Sequence, residues 1–118
     1  MRKYFFPIVW MAFIFILSSI PGRALPETPF FGFDKLVHVC LYVVLGFLWA
    51  RALGCRFILV VVICAVFGLS DETHQLFVPN REFSLLDLSA DIVGAFLGVL
   101  CLLLLNKYLS DRLKPIVI

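Results

Sequence analysis

The sequence predicts an all-α protein, a membrane-embedded four-helix bundle. Three observations lead there. Hydrophobic residues make up 63% and charged residues 15% of the 118, where a soluble domain carries about half and about a quarter. Mean hydropathy is +1.07. Four apolar runs are separated by short segments rich in proline, glycine or charge, which is the punctuation of helices joined by turns. The whole chain reads as one such domain. A formal net charge of +2, with its basic residues scattered, gives no footprint for nucleic acid.

The first helix is expected at about residues 4–20. Arg2 and Lys3 precede it and Pro7 falls in its opening turns, where the missing N–H costs least. Pro21, Gly22 and Arg23 make a poor cleavage site, so the run reads as a retained helix rather than a signal peptide. A proline-rich loop then leads to Asp34, an N-cap or first-turn acid. The second helix spans about 35–53 and places Asp34, His38 and Tyr42 on one face at i, i+4 and i+8.

The third helix is expected at about 57–77. Its uncharged part, residues 57–69, falls short of the roughly 20 residues a span needs, so the helix continues through Asp71, Glu72, Thr73, His74 and Gln75. Val78, Pro79, Asn80 and Arg81 read as a turn. The fourth helix covers about 85–106 and includes Gly94 and Gly98, a G-x-x-x-G spacing that allows close helix approach. Residues 107–118 are expected on the surface. The four cysteines, Cys40, Cys55, Cys64 and Cys101, form no C-x-x-C pair and read as small apolar packing residues.

Polar residues concentrate between Gly68 and Asp91, which hold five of the eight acids. Four helices put both termini on one side with Arg2, Lys3, Arg51, Arg56, Lys107, Arg112 and Lys114, against Arg23, Lys35 and Arg81 on the other. The positive-inside rule then predicts cytoplasmic termini. His38, Asp71, Glu72, His74, Gln75, Asp87 and Asp91 would converge near the outer face from helices two to four. A charge at mid-membrane costs about 2.5–3.5 kcal/mol on insertion scales, so His38 and Asp91, inside apolar helices, should face the interior and satisfy each other, Tyr42, Arg81 or a ligand. Glu82 and Lys35 read as solvated, and Arg81 with Asp87 as an ordinary ion pair.

The expected site therefore comprises His38, Tyr42, Asp71, Glu72, His74, Gln75, Arg81, Asp87 and Asp91. Arg81 and Lys35 suit an anionic headgroup, with Phe30, Phe31, Phe33, Phe77 and Phe83 among acyl chains. Glu72, His74, His38 and Asp71 are the candidates for acid–base catalysis. His38, His74, Asp71, Glu72 and Asp91 are plausible metal ligands, but no H-x-x-x-H or H-E-x-x-H pair is present, so the spacing gives a metal no support and no metal or cofactor is expected. A polar staple that only locks the helices is the structural alternative.

Three strings carry a family resemblance. The first is Asp34-Lys35-Leu36-Val37-His38 with Tyr42 and Gly46. The second runs from Ser70-Asp71-Glu72-Thr73-His74-Gln75 to Phe77-Val78-Pro79-Asn80-Arg81. The third is Asp87-Leu88-Ser89-Ala90-Asp91 with Gly94. Together they resemble the VanZ-like family of small bacterial membrane proteins. The family pattern has glycine at the position of Asn80 and asparagine at that of Asp91. The resemblance implies a bacterial cytoplasmic membrane and, because the family is named for a protein giving teicoplanin resistance, partners among membrane lipids, lipid-linked envelope precursors or lipoglycopeptides. It implies no particular reaction. A lipid-binding protein, an enzyme modifying a lipid-linked precursor and a structural or assembly protein are the three functions it leaves open.

Overall fold

The computed structural model describes residues 2–21, 32–79 and 81–117, with side chains described as far as Arg112. Arg23, Phe30, Phe31 and Asn80, and the side chain of Lys114, lie outside what is described. A 3-10 turn, Arg2–Tyr4, leads into α1 (Phe5–Ser18), followed by α2 (Phe33–Leu53), α3 (Phe57–Gln75) and α4 (Leu85–Val117). The protein is an all-helical bundle, as its composition predicts. Three helices, Phe33–Leu53, Phe57–Gln75 and Leu85–Arg112, are long and apolar enough to cross a membrane.

The exterior agrees with a lipid solvent. Phe5, Phe6, Ile16, Ile58, Val66, Leu86, Val93 and Leu104 are all exposed. In water such a surface would drive association, whereas in hydrocarbon it is matched.

Burial follows a single stripe on each helix. On α4 the buried positions are Asp87, Ala90, Asp91, Gly94, Ala95, Gly98, Val99 and Leu102, spaced by threes and fours as one helix face requires. On α3 they are Val60, Cys64, Gly68, Asp71, Glu72 and Gln75. The same face is thus apolar at one end of the bundle and ionisable at the other.

The closest packing joins α2 to α4. A Cβ on Gly46 would stand 2.5 Å from the Ala95 carbonyl oxygen, and one on Gly94 at 2.5 Å from that of Val39. One on Gly98 would overlap the Val43 carbonyl oxygen. Small residues let two backbones approach until dispersion and Cα–H···O contacts form along the whole seam, which is how helices associate where water gives no hydrophobic push.

The ends have local causes. Gly54 closes α2 at φ +75°, a left-handed position with little cost only for glycine, and the Cys55 N–H donates to the Ala50 carbonyl at 2.8 Å. α3 ends at Gln75, two residues before the expected limit. Leu76, Phe77 and Val78 donate to carbonyls three residues back, a tightening that precedes Pro79. α4 begins after Ser84, whose hydroxyl accepts the Asp87 N–H at 3.2 Å as an N-cap. It continues well beyond Asn106, because nothing between Lys107 and Arg112 breaks a helix. α1 docks through the Trp10 indole, which donates to the Leu41 carbonyl at 2.9 Å.

Gly98→Val should force α2 and α4 apart and cost about 3 kcal/mol or more. Unfolding in detergent would show a lower midpoint than Val62→Ala, which truncates a half-exposed residue on the lipid face.

Candidate functional site

At one end of the bundle the inward faces of α2, α3 and α4 change from apolar to ionisable. His38 stands one turn before Tyr42 on α2. Asp71, Glu72 and Gln75 extend the Val60–Cys64–Gly68 face of α3. Asp87 and Asp91 open the buried stripe of α4. Asp71, Glu72, Asp87 and Asp91 are 2%, 0%, 8% and 0% exposed.

His38 is the centre. Its Nδ1 lies 2.8 Å from Asp91 Oδ1 and its Nε2 lies 3.8 Å from Asp87 Oδ2. The imidazole thus sits between two carboxylates of α4 spaced one turn apart. Lys35 Nζ bridges Asp34 Oδ2 at 2.6 Å and Asp87 Oδ1 at 2.9 Å. Glu72 Oε2 accepts the Ser84 N–H at 3.1 Å, tying the end of α3 to the start of α4. The Gln75 amide donates to Ser18 Oγ at 3.3 Å, and the Ser18 hydroxyl in turn hydrogen-bonds the Asp71 carboxylate.

A cavity of about 260 Å³ opens beside this cluster. Asp34, His38, Tyr42, Asp71, Gln75 and Arg81 give its polar wall, while Ile14, Leu17, Phe33, Val37 and Leu41 are apolar. Several buried polar atoms have no hydrogen-bond partner among the described residues. Among them are Tyr42 Oη, Arg81 Nε and one oxygen each of Asp71, Glu72 and Asp91. In a bilayer such atoms cost free energy unless something meets them.

The structure brings together His38, Tyr42, Asp71, Glu72, Gln75, Arg81, Asp87 and Asp91. It does not bring in His74. That ring stacks on Phe15 with centroids 4.3 Å apart, and its Nε2 is 3.0 Å from Ser19 Oγ. His74 therefore fastens α1 to α3 and leaves the acid–base set. Its position foretells this, since a helix puts residues 64, 68, 71, 72 and 75 on one face and turns 74 well away. Two further expectations are corrected. Asp87 pairs with Lys35 rather than Arg81, so Lys35 is a working part of the cluster and not a solvated bystander. The cavity lies among α1, α2 and α3 with Arg81, instead of being walled by helices two to four.

Ser18, Ser84 and Gly68 were not foreseen. Ser18 and Ser19 are the first polar residues after an unbroken apolar run, which is the signal that points to them. Gly68 carries no such signal. A Cβ there would come within 3.0 Å of Asp91 Oδ2, so its missing side chain makes room for that carboxylate.

A bundle of membrane-crossing helices with an ionisable cluster buried at one end defines the class, an integral membrane protein with an internal polar site. Residues 3–106 match the family described as VanZ/LLP1, and the chain belongs to that family. It is also 31% identical over 106 residues to an uncharacterized protein of the fission yeast Schizosaccharomyces pombe, covering 86% of this chain and 65% of the relative. The chain thus spans a little under two thirds of that protein's length. A eukaryotic relative means the bacterial origin expected from the resemblance does not follow from family membership. No solved structure matches.

The His38–Asp91 contact should behave as a coupled pair. Removing either partner strands the other in a buried setting, so His38→Ala and Asp91→Ala should each destabilise more than the double variant's deficit allows by addition. A double-mutant cycle in detergent should return a coupling of about 1–3 kcal/mol.

Proposed function

We propose that this protein binds a membrane amphiphile in the cavity beside His38, with Arg81 holding an anionic headgroup. The observation that carries the reading is Arg81. Its Nε is buried and has no partner among the described residues, on the polar wall of a cavity whose apolar side is Ile14, Leu17, Phe33, Val37 and Leu41. A guanidinium is matched by the oxygens of a phosphate or carboxylate, and the aliphatic wall by a hydrocarbon chain. Tyr42, Asp71 and Gln75 supply donors and acceptors for the polar part of a headgroup.

A membrane lipid has both halves of that chemistry. So does a lipid-linked envelope precursor, or a lipoglycopeptide of the teicoplanin type, whose binding would connect the protein to glycopeptide resistance. A relative in a yeast favours a ligand common to many membranes over one confined to a bacterial envelope. Seven basic residues on the side of the termini, against three on the other, favour cytoplasmic termini and a cavity facing the outer leaflet.

A second reading rests on the His38–Asp91 pair at 2.8 Å. A carboxylate-oriented imidazole on the cavity wall is suited to moving a proton on a bound lipid. That would make the protein a modifying enzyme.

Lipid analysis of the protein extracted in native nanodiscs tests the proposal. One anionic amphiphile should be enriched over the surrounding membrane. Arg81→Ala should lose that enrichment, while Arg112→Ala, exposed far along α4, should keep it. Equal enrichment in both variants would refute a role for Arg81. A His38→Gln protein that still binds the lipid but leaves it chemically altered from the wild-type sample would favour the enzyme.

A further inference from the structure

One group of side chains goes beyond the lipid cavity. His38, Glu72 and Asp91 come from three different helices, and each offers a donor atom within 4.8 Å of the other two. Two of the three are completely buried. Each carboxylate has one oxygen engaged and one spare. Glu72 Oε2 takes the Ser84 N–H, leaving Oε1 without a partner. Asp91 Oδ1 meets His38, leaving Oδ2 without one. The spare oxygen of Asp91 lies against Gly68, one turn from Glu72 on the same face of α3.

The local charge is unbalanced in the same direction. Asp71, Glu72, Asp87 and Asp91 share one buried end of the bundle. Lys35 is committed to Asp34 and Asp87, and Arg81 is the other cation there among the described residues. Buried carboxylates in excess of cations need either protons or a metal ion.

We propose that His38, Glu72 and Asp91 together bind one divalent cation of the zinc or manganese class. One imidazole nitrogen and two carboxylate oxygens form a borderline-to-hard donor set suited to those ions. Metal–nitrogen and metal–oxygen bonds of about 2.0–2.2 Å would draw the donors together, and side-chain rotation accommodates that. The ion takes the place between His38 Nδ1 and the carboxylates, displacing the proton shared with Asp91. The opposite ring nitrogen already faces Asp87, in the manner by which a carboxylate orients a metal-bound histidine. The remaining coordination positions are left for water or for an oxygen ligand arriving from the cavity that His38 also lines. The ion site does not depend on what occupies that cavity.

The test uses the full chain in nanodiscs, stripped with a chelator and titrated with Co²⁺ as a spectroscopic probe and with Zn²⁺ in competition. The expected result is about one equivalent per chain, with visible d–d bands that Zn²⁺ abolishes. Glu72→Gln and Asp91→Asn should each bind more than about tenfold more weakly. His38→Gln should remove the nitrogen coupling seen by pulsed electron paramagnetic resonance with Mn²⁺ in the same site. His74→Gln should match the wild type, which separates this histidine from the other. Circular dichroism of each variant shows that it is folded, and Glu72→Gln carries the comparison should Asp91→Asn fail to fold. No Co²⁺ or Zn²⁺ uptake by the wild type would overturn the proposal, as would uptake by His38→Gln and Glu72→Gln equal to that of the wild type. The carboxylates would then hold protons instead.

Discussion

Everything at the polar end depends on how closely α2 and α4 approach. Gly46, Gly94 and Gly98 remove the side chains that would hold the two backbones apart, and carbonyl groups of each helix occupy the space where Cβ atoms would be. That contact fixes the rotation and register of α4 against α2. One turn beyond Gly94, the same seam delivers Asp91 to His38. A slip of one residue along it would turn Asp91 by about 100° and break the pair. The apolar seam and the ionisable cluster are therefore two ends of a single packing arrangement, and the weak directional forces of one set the geometry of the other.

The cluster is organised by a division of labour among its acids. Asp34 and Asp87 hold Lys35 near the rim. Glu72 spends one oxygen on the backbone of the turn into α4. Asp71 is tied through Ser18 to α1. Asp91, as fully enclosed as Glu72, meets His38. What is left over is a set of buried oxygens and one guanidinium nitrogen without partners among the described residues. A purely structural staple would close these groups on themselves. This one retains unmet capacity on both the anionic and the cationic side, and that capacity is what the proposed binding role would use.

Much of this was readable from the chain. Composition and the four runs lead to the helical membrane bundle, and the spacing of His38 and Tyr42, then of Asp71, Glu72 and Gln75, defines their faces. The cost of leaving His38 or Asp91 alone in an apolar helix turns both inward, with each other among several candidate partners. Other features were hidden for physical reasons. Lys35 looked solvated because a helix-end lysine usually is, and only the position of Asp87 on a different helix makes it otherwise. The contribution of α1 was missed because Ser18 is small, uncharged and at a helix end. His74 was included on chemistry although its position around the helix excluded it. The void beside Gly68 cannot be seen in sequence at all, since it exists only relative to Asp91.

The separation of His38 from Asp91 by 53 positions in the chain has a consequence for biosynthesis. A ribosome delivers α2 and α3 to the bilayer before α4 has been made. During that interval His38 and Glu72 lack the partners that α4 and the turn into it supply, and Gly46 of α2 has nothing to seat against. The nascent hairpin accordingly lacks contacts that the finished bundle supplies. Arrival of the last helix provides them in a single docking event, so chains halted before Ser84 should be prime substrates for membrane quality control.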